Sequence, residues 1–220
     1  MPACCPHLAP ADIDALVAHI RAEPWLVRAL DIVETSGLPD AWIGAGILRD
    51  VVWGRHHGGF DPAAVRDIDV AFFDPDDLSR HRDEAAERRL GSMADLPWEA
   101  TNQAAVHTWY AEHFHEAPVP PLASVHDAVA TWPETATCVA IRSAAPMRSV
   151  SREAQFAPCG IEVCAPYGLD DLLGGVWRRN PARISVAASA ARLARHRVPQ
   201  RWPSVVVHDP GRPQPRRAAI

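Results

Sequence analysis

The sequence contains no lysine, because all 22 of its basic residues are arginine. The chain therefore has no amine for a Schiff base, no lysine nucleophile and no lysine of the kind that phosphate-binding loops carry. Any phosphate that binds here must be held by arginine, by backbone N–H groups or by metal ions.

Long hydrophobic runs are also missing from the sequence. The longest apolar stretches, such as Val205–Val207, are far shorter than the roughly 20 residues that cross a membrane. The first residues, Met1–Pro6, lack the basic start and apolar stretch of a secretory signal,. The sequence predicts neither a membrane span nor a secretory signal.

Cysteine is scarce, and its five positions do not form a recognisable pattern. An odd number cannot close completely into disulfides, and no spacing matches a zinc knuckle. A reducing compartment fits this usage best, so we predict a cytoplasmic protein. The five positions are Cys4, Cys5, Cys138, Cys159 and Cys164.

The length and composition are those of one ordinary globular domain. The chain has 220 residues, of which 48% are hydrophobic and 22% are charged, enough apolar material for one substantial core. Proline, glycine and arginine dominate the C-terminal end, which is typical of a disordered tail. We predict a flexible N-terminus over 1–10, a single domain over 11–207 and a disordered tail over 208–220.

The net charge of −5 hides an uneven distribution along the chain. Residues 178–220 hold ten arginines and one acidic residue, whereas residues 1–177 hold twelve arginines and 26 acidic residues. Two interpretations remain open for the basic end. It is either a solvated helix followed by an arginine-rich tail, or a surface that faces an anionic substrate.

Hydrophobic periodicity predicts helices and strands that alternate through most of the chain. No Gly-x-Gly-x-x-Gly occurs at a strand-to-helix turn, which argues against a dinucleotide-binding fold. The pattern favours a mixed α/β or α+β domain. Helices are predicted over 11–36 (two), 45–54, 79–90 with Gly91 as the cap, 103–115, 124–131, 170–177 and 186–198, and strands over 41–43, 68–73, 97–102, 137–141 and 161–164.

Two carboxylates stand out at the start of the strand predicted over 68–73. Asp67 and Asp69 are separated by one residue, so both side chains project to the same face of an extended chain. Like charges this close repel unless cations lie between them, and Mg²⁺ shared with substrate phosphates is the natural partner. The alternative is an exposed strand edge whose acids are solvated.

A glycine-rich turn precedes this strand. Gly44 and Gly46 lie where a predicted strand passes into a helix, so backbone N–H groups and the helix N-terminus can approach a phosphate there. Arg49 follows one turn later, in position to pair with a phosphate or with one of the two acids.

The next predicted strand carries a third carboxylate, Glu99, which we expect alongside Asp67 and Asp69. Asn102 and His107 follow, and both are polar groups suited to holding a base or a ribose. Simpler roles remain open for all three: Glu99 can pair with an arginine, while Asn102 and His107 can cap and satisfy buried backbone groups.

The ordered set of these motifs resembles the head of the polymerase-β-type nucleotidyltransferase superfamily, which includes the tRNA nucleotidyltransferases. More narrowly, the chain is similar to a bacterial family of small nucleotidyltransferase-like proteins. The matching segments span about residues 40–203: GAGILRDVVWGRHHG (44–58), DIDVAFFDPDDLS (67–79), WEATNQAAVHTWY (98–110), WPETATCVAIR (132–142), APYGLDDLLGGVWRRNP (165–181) and RWP (201–203).

This resemblance implies a fold, a reaction and roles for the candidate residues. It implies an α+β nucleotidyltransferase fold, a small mixed sheet flanked by helices with helical additions at both ends. It also implies Mg²⁺-dependent transfer from a nucleoside triphosphate, with Asp67 and Asp69 as metal ligands and Glu99 as a third catalytic residue. The triphosphate and nucleoside would be held by Gly44, Gly46, Arg49, Asn102 and His107.

The sequence departs from the superfamily pattern in two respects. The usual Gly-Ser or Gly-Gly is replaced by Gly-Ala-Gly, so no serine hydroxyl assists at the phosphate. Where relatives often carry lysine, this chain has Thr101, and Arg197 or Arg201 near its end.

Three functional hypotheses follow. The first is a nucleotidyltransferase whose acceptor is a small molecule, a protein or an RNA. The second is a catalytically silent protein that binds nucleotides or a partner, and the third is a toxin–antitoxin component. In the first hypothesis the basic C-terminal helix closes over the acceptor through Arg192, Arg195, Arg197 and Arg201.

Overall fold

The computed structural model describes residues 8–114, 118–144, 155–156 and 160–208. The α-helices are α1 (Pro10–Arg21), α2 (Pro24–Thr35), α3 (Gly46–His56), α4 (Arg80–Met93), α5 (Val106–Phe114), α6 (Val125–Val129), α7 (Asp170–Leu173), α8 (Val186–Arg195) and α9 (Val198–Arg201). The strands are β1 (Trp42–Gly44), β2 (Ile68–Phe72), β3 (Trp98–Asn102), β4 (Ala140–Ser143), β5 (Gln155–Phe156), β6 (Ile161–Cys164), β7 (Val176–Arg178) and β8 (Val206–His208).

A mixed six-stranded sheet forms the centre of the fold, in the order β3-β2-β1-β4-β6-β5. The pair β2–β3 is parallel, and the other neighbours are antiparallel. A parallel pair needs a crossover connection, which α4 provides between β2 and β3. This α+β architecture, a small mixed sheet flanked by helices, confirms the predicted fold class.

The two faces of the sheet are covered by different residues, because side chains alternate along a strand. Ile43, Val70 and Ile141 point into the larger core, which they share with α1, α2 and α3. Their neighbours Trp42 and Ala71 belong to a smaller cluster with residues of α6. Burial on both faces fixes the register of β1 and β2, since a slip of one residue would exchange the two clusters.

A second, two-stranded sheet pairs β7 with β8 in parallel. The segment Val198–His208, which we call the C-terminal strap, begins with α9 and ends with β8. Its Trp202 is 2% exposed and belongs to the larger core. The strap is therefore packed into the domain.

Several predicted boundaries are wrong. The helix predicted over 170–177 ends at Leu173, because Gly174 and Gly175 follow and Gly175 has a φ of 65°. Glycine readily adopts this conformation, which ends helices. Trp177 consequently lies on β7. Gly91 does not end α4, which continues to Met93.

The termini also differ from the predictions. Within the predicted flexible N-terminus, Leu8 is 5% exposed and α1 already begins at Pro10. His208, the first residue of the predicted tail, ends β8. The rest of both predictions, over 1–7 and 209–220, lies outside the described residues. Sequence reasoning missed β5, β7 and β8, which span two or three residues and are too short to show a periodicity.

Across the described ranges, no helix combines the length and apolarity that crossing a membrane requires. The two cysteines that these ranges include, Cys138 and Cys164, are both fully buried.

Candidate active site

Three carboxylates meet near the N-terminal ends of β2 and β3. Asp67 directly precedes β2, and Asp69 is the second residue of that strand. Asp69 and Glu99 are register partners across the parallel pair, so their side chains point to the same face. The structure thus brings together the three acids that the sequence proposed as a catalytic group.

The electrostatics of this group are unfavourable for three negative charges. Burial raises the pKa of Asp69 to about 7, and the neighbouring charges of Asp67 and Glu99 add to this effect. Burial, together with Asp67 and Glu87, also raises the pKa of Glu99. A bound cation would relieve this repulsion, since it favours the ionised form of nearby carboxylates.

The N-terminus of α3 faces the same acids. The backbone N–H of Gly46 donates a hydrogen bond to the carboxyl group of Asp69. Between β1 and α3 the chain turns at Ala45, whose φ of 59° is uncommon for a residue with a side chain,. The Ala45 N–H donates to the carbonyl oxygen of Val139 over 3.1 Å, which holds this turn against the sheet.

The two glycines of the turn have different surroundings. A Cβ added to Gly44 would lie 2.7 Å from Cη2 of Trp132 and 2.7 Å from the carbonyl oxygen of Val139, so packing alone requires glycine here. A Cβ on Gly46 would lie 3.6 Å from Nη2 of Arg49 and 4.0 Å from Oδ2 of Asp69. Only Gly46 borders the charged groups of the site.

Arg49 is 2% exposed and is held on several sides. Its Nε and Nη2 donate to Oδ1 of Asp50, over 2.8 and 2.6 Å. The guanidinium carbon lies 5.8 Å from the ring centroid of Trp177 and 5.4 Å from that of Trp202. The acid that pairs with Arg49 is therefore Asp50 and not Asp67 or Asp69.

One nitrogen of Arg49 has no partner. Nη1 is buried and makes no hydrogen bond within the described part of the chain. A buried donor without an acceptor is costly, and arginine forms strong hydrogen bonds to carboxylate and phosphate oxygens. Arg49 therefore carries one donor that the described residues around it do not satisfy.

Asn102 does not fit the predicted role of a nucleotide ligand. The residue is 0% exposed. Its Oδ1 accepts from the N–H groups of Asp74 and Ala104, and its Nδ2 donates to the carbonyl oxygens of Asp74 and Asp77. All four contacts are internal, so Asn102 holds the loop after β2 and has no group left for a ligand.

His107 lies in the first turn of α5, beyond the C-terminal end of β3. Its Nδ1 is buried and has no hydrogen-bond partner among the residues that the structure places. No contact joins it to the three carboxylates, and its role in holding a nucleotide stays a prediction.

The arginines predicted to close over an acceptor are divided between two roles. Arg192 binds the fully buried Glu134 with two hydrogen bonds of 2.7 and 3.0 Å. Arg201 pairs with Asp50 over 2.7 Å. Arg195 and Arg197 are exposed. The side chains of Arg192 and Arg201 are thus each paired with an acid while 28% and 41% exposed, and the acceptor-facing surface stays a prediction.

The three carboxylates do not by themselves form a metal site in the described part of the chain. Among residues 8–114, 118–144 and 160–208, no three or more His, Cys, Asp or Glu side chains form a group that could hold a metal ion alone. Asp67, Asp69 and Glu99 offer only oxygen donors, which Mg²⁺ prefers, and Mg²⁺ commonly completes its coordination with water and substrate phosphates. The donor chemistry therefore fits a magnesium–nucleotide complex.

Sequence reasoning missed Asp50, Trp177 and Trp202, which surround Arg49. Asp50 was visible as the direct neighbour of Arg49, and Trp202 lies in the last matching segment, at 201–203. The contacts of Arg49 with Trp177 and Trp202 join positions more than 100 residues apart, which no local pattern reveals.

A mixed sheet with paired acids beside a glycine turn defines the nucleotidyltransferase class, and comparisons with known proteins agree. One solved NMR structure, described as revealing a CCA-adding enzyme head domain, superposes with a TM-score of 0.68 at 26% sequence identity. The match covers 88% of this chain and 94% of that one. The fold is therefore the nucleotidyltransferase fold.

The sequence profile of the family described as "Nucleotidyltransferase" matches residues 31–207. The chain belongs to this family and is a nucleotidyltransferase, an enzyme whose substrate is a nucleotide. A comparison with curated proteins gave no significant match.

Proposed function

We propose that this protein transfers a nucleotidyl group from a nucleoside triphosphate to an acceptor, with Mg²⁺, and releases pyrophosphate. The observation that carries the proposal is the alignment of Asp69 with Glu99 beside the N-terminus of α3. This arrangement supports the proposal, because phosphoryl-transfer chemistry requires metal ligands and phosphate-binding groups next to each other.

Each residue of the site has a distinct task in this reaction. Asp67 and Asp69 would hold Mg²⁺, and the ion would supply positive charge to neutralise the charge that develops on the phosphates. Arg49 and the N-terminus of α3 at Gly46 bind the triphosphate through N–H donors and the positive end of the helix dipole.

The bond changes follow from these positions. An acceptor oxygen forms a bond to the α-phosphorus, and the bond between that phosphorus and the bridging oxygen to the β-phosphate breaks. Pyrophosphate leaves with the electron pair. Glu99 takes the acceptor proton, a role that suits a carboxylate whose pKa is raised,.

Calorimetric titration tests the step on which the proposal depends, Mg²⁺-dependent binding of the nucleoside triphosphate. ATP, CTP, GTP and UTP are titrated into the native chain with and without MgCl₂, and at least one should bind in a Mg²⁺-dependent manner. Asp69→Asn should abolish the Mg²⁺-dependent part. Asp31→Asn, which changes an exposed acid on α2, serves as the matched control and should bind as the native chain does. The proposal is overturned if no triphosphate binds, or if Asp69→Asn binds like the control.

A further inference from the structure

The C-terminal strap packs against one face of α3. Asp50, Trp53 and His57 recur at helical spacing along α3 and its end, and so lie on one side,. Each contacts a different strap residue: Arg201 Nη2 lies 2.7 Å from Asp50 Oδ2, the Trp202 ring packs 5.2 Å from Trp53, and Ser204 Oγ lies 2.6 Å from His57 Nε2.

Asp50 is the link between this strap and the active site. Its two carboxylate oxygens bind different arginines, Oδ1 accepting from Arg49 and Oδ2 from Arg201. Trp202 is shared in the same way, since the guanidinium carbon of Arg49 lies 5.4 Å from its ring and that of Arg201 lies 4.0 Å away. The strap therefore contacts Arg49 directly through the Trp202 ring and is linked to it indirectly through the carboxylate of Asp50, which Arg49 and Arg201 share.

These contacts leave Arg49 little freedom. Asp50 occupies Nε and Nη2, while Trp177 and Trp202 restrict the planar group. Only Nη1 lacks a partner in the described ranges. Because binding is tighter when a donor is already oriented before the ligand arrives, the orientation of this guanidinium affects how strongly a phosphate is held.

We propose that Arg201 is a positioning residue for the triphosphate, acting on Arg49 through Asp50 and Trp202. The proposal rests on the proposed function of this site. It differs from the earlier expectation that Arg201 faces the acceptor, because its charge is directed at Asp50. The C-terminal strap is thereby part of the nucleotide site, although it lies 150 residues from α3 in the sequence.

A purely structural role for the Arg201–Asp50 pair would have a different consequence. The side chains are 41% and 21% exposed, and partly exposed ion pairs contribute little to stability. If the pair matters, its loss should appear in triphosphate affinity and should depend on the presence of Arg49.

The experiment measures the affinity for magnesium tripolyphosphate, which carries the phosphates without a base. Arg201→Gln should weaken binding about fivefold, the equivalent of one partly exposed ion pair. Arg201→Lys keeps one donor for Asp50 Oδ2 and should restore affinity to within about twofold of the native value. In an Arg49→Gln background, Arg201→Gln should have no further effect, since residues that act through one another are not additive.

Arg178→Gln is the matched control. Arg178 also belongs to the C-terminal part, and its side chain is 38% exposed and pairs with an aspartate, Asp171, over 2.8 Å, rather than with Asp50 or Arg49. It should bind tripolyphosphate as the native chain does. Circular dichroism and the Tm of every variant confirm that binding is measured on folded protein.

The possible failures are distinguishable. If the native chain binds neither tripolyphosphate nor any nucleoside triphosphate with Mg²⁺, the proposed function itself fails. If the native chain and Arg178→Gln bind but Arg201→Gln binds equally well, the positioning role is overturned and the proposed function stands. An equal loss from Arg201→Gln with or without Arg49 would also overturn it. Asp50→Asn gives a second measurement and should weaken binding at least as much as Arg201→Gln.

Discussion

Asp69 and Glu99 stand side by side across the parallel strands β2 and β3, so the fold holds two carboxylates together that repel each other. Enzymes often retain such local conflicts because the site needs them, at the expense of stability. In the absence of metal, the repulsion between these two carboxylates should lower the stability of the folded chain, and this effect can be measured.

We expect Asp69→Asn to leave the Tm of the metal-free chain equal or raise it. The folded pKa of about 7 lies above the ordinary value of 3.8. The stability that Asp69 contributes is therefore complete below pH 3.8 and lost as the pH rises through 7. Asparagine resembles the neutral form of Asp69 and still accepts a hydrogen bond from Gly46 N–H. The Tm of Asp69→Asn should therefore exceed that of the native chain by more as the pH rises toward 8.

Thermal denaturation with EDTA at pH 5 and pH 8 checks this expectation. Asp74→Asn is the control, because Asp74 is partly buried and is paired with Arg82 over 2.7 Å, and it should lower the Tm. A loss of stability in Asp69→Asn as large as in the control would contradict the interpretation of Asp69 as a repelled charge.

The two glycines of the β1–α3 turn should respond differently to alanine. Gly44→Ala should lower the free energy of unfolding by about 2–3 kcal/mol, because the new methyl group collides with Trp132 and Val139,. Gly46→Ala should change stability by less than about 1 kcal/mol, since alanine favours helices. Its methyl group, however, lies beside Arg49 and Asp69, and it should weaken triphosphate binding.

Urea denaturation and calorimetric titration of both glycine variants measure the two effects separately. Equal stability losses in the two variants would show that Gly46 is also a packing residue.

Asn102→Ala should reduce stability by about 3 kcal/mol, because four internal hydrogen bonds lose their partner in a buried position,. Gln103→Ala is the neighbouring control; its side chain makes one hydrogen bond, to the carbonyl oxygen of Thr101, and about 1 kcal/mol is expected. Triphosphate affinity of the folded Asn102 variant should equal that of the native chain. If the folded Asn102→Ala variant bound triphosphate more weakly than the native chain, Asn102 would be part of the nucleotide site.

His196 should make the fold sensitive to acid. Burial lowers its pKa to about 4; Arg49, Arg192 and Arg195 act in the same direction, and Asp50 opposes them. The pKa of His196 in the folded chain lies below its ordinary value of 6.5. The stability that the neutral His196 contributes is therefore complete above pH 6.5 and is lost as the pH falls toward 4,.

The variant His196→Gln isolates this contribution. Between pH 7 and pH 4 the native chain should lose about 1 kcal/mol of stability relative to His196→Gln, a figure reduced for its partial exposure. Urea denaturation at several pH values measures the difference, with His81→Gln, on the exposed side of α4, as the control. If the stability difference between the native chain and His196→Gln did not vary with pH, His196 would not be the source of the acid sensitivity.

Sequence reasoning found most of the fold because its long elements carry a clear periodicity. The helices at 10–21 and 24–35 and the strand at 68–72 occur close to their predicted positions. It failed where the signal is local and weak. The predicted helix over 170–177 includes residues 176 and 177, which belong to a three-residue strand at 176–178, because the glycines before that strand end the helix.

The residues of the candidate site are likewise predicted in part by the sequence and missed in part. Asp67 and Asp69 are two residues apart, so their common side follows from strand geometry alone. Asn102 follows Glu99 on the same strand and is equally polar, yet it is enclosed by the loop after β2. Nothing in the neighbouring sequence distinguishes a polar residue that meets a ligand from one that satisfies backbone groups, since the difference depends on what covers it.

The sequence by itself determined that lysine is absent, that two acids are paired and that a glycine turn precedes them. It also determined the resemblance to nucleotidyltransferases, because all of these are properties of composition and short-range spacing. Only the tertiary structure decided that Glu99 stands beside Asp69, that Gly44 serves packing, and that Arg201 reaches Asp50. Contacts between distant segments arise when a common core is buried, and local spacing carries no information about which segments then meet.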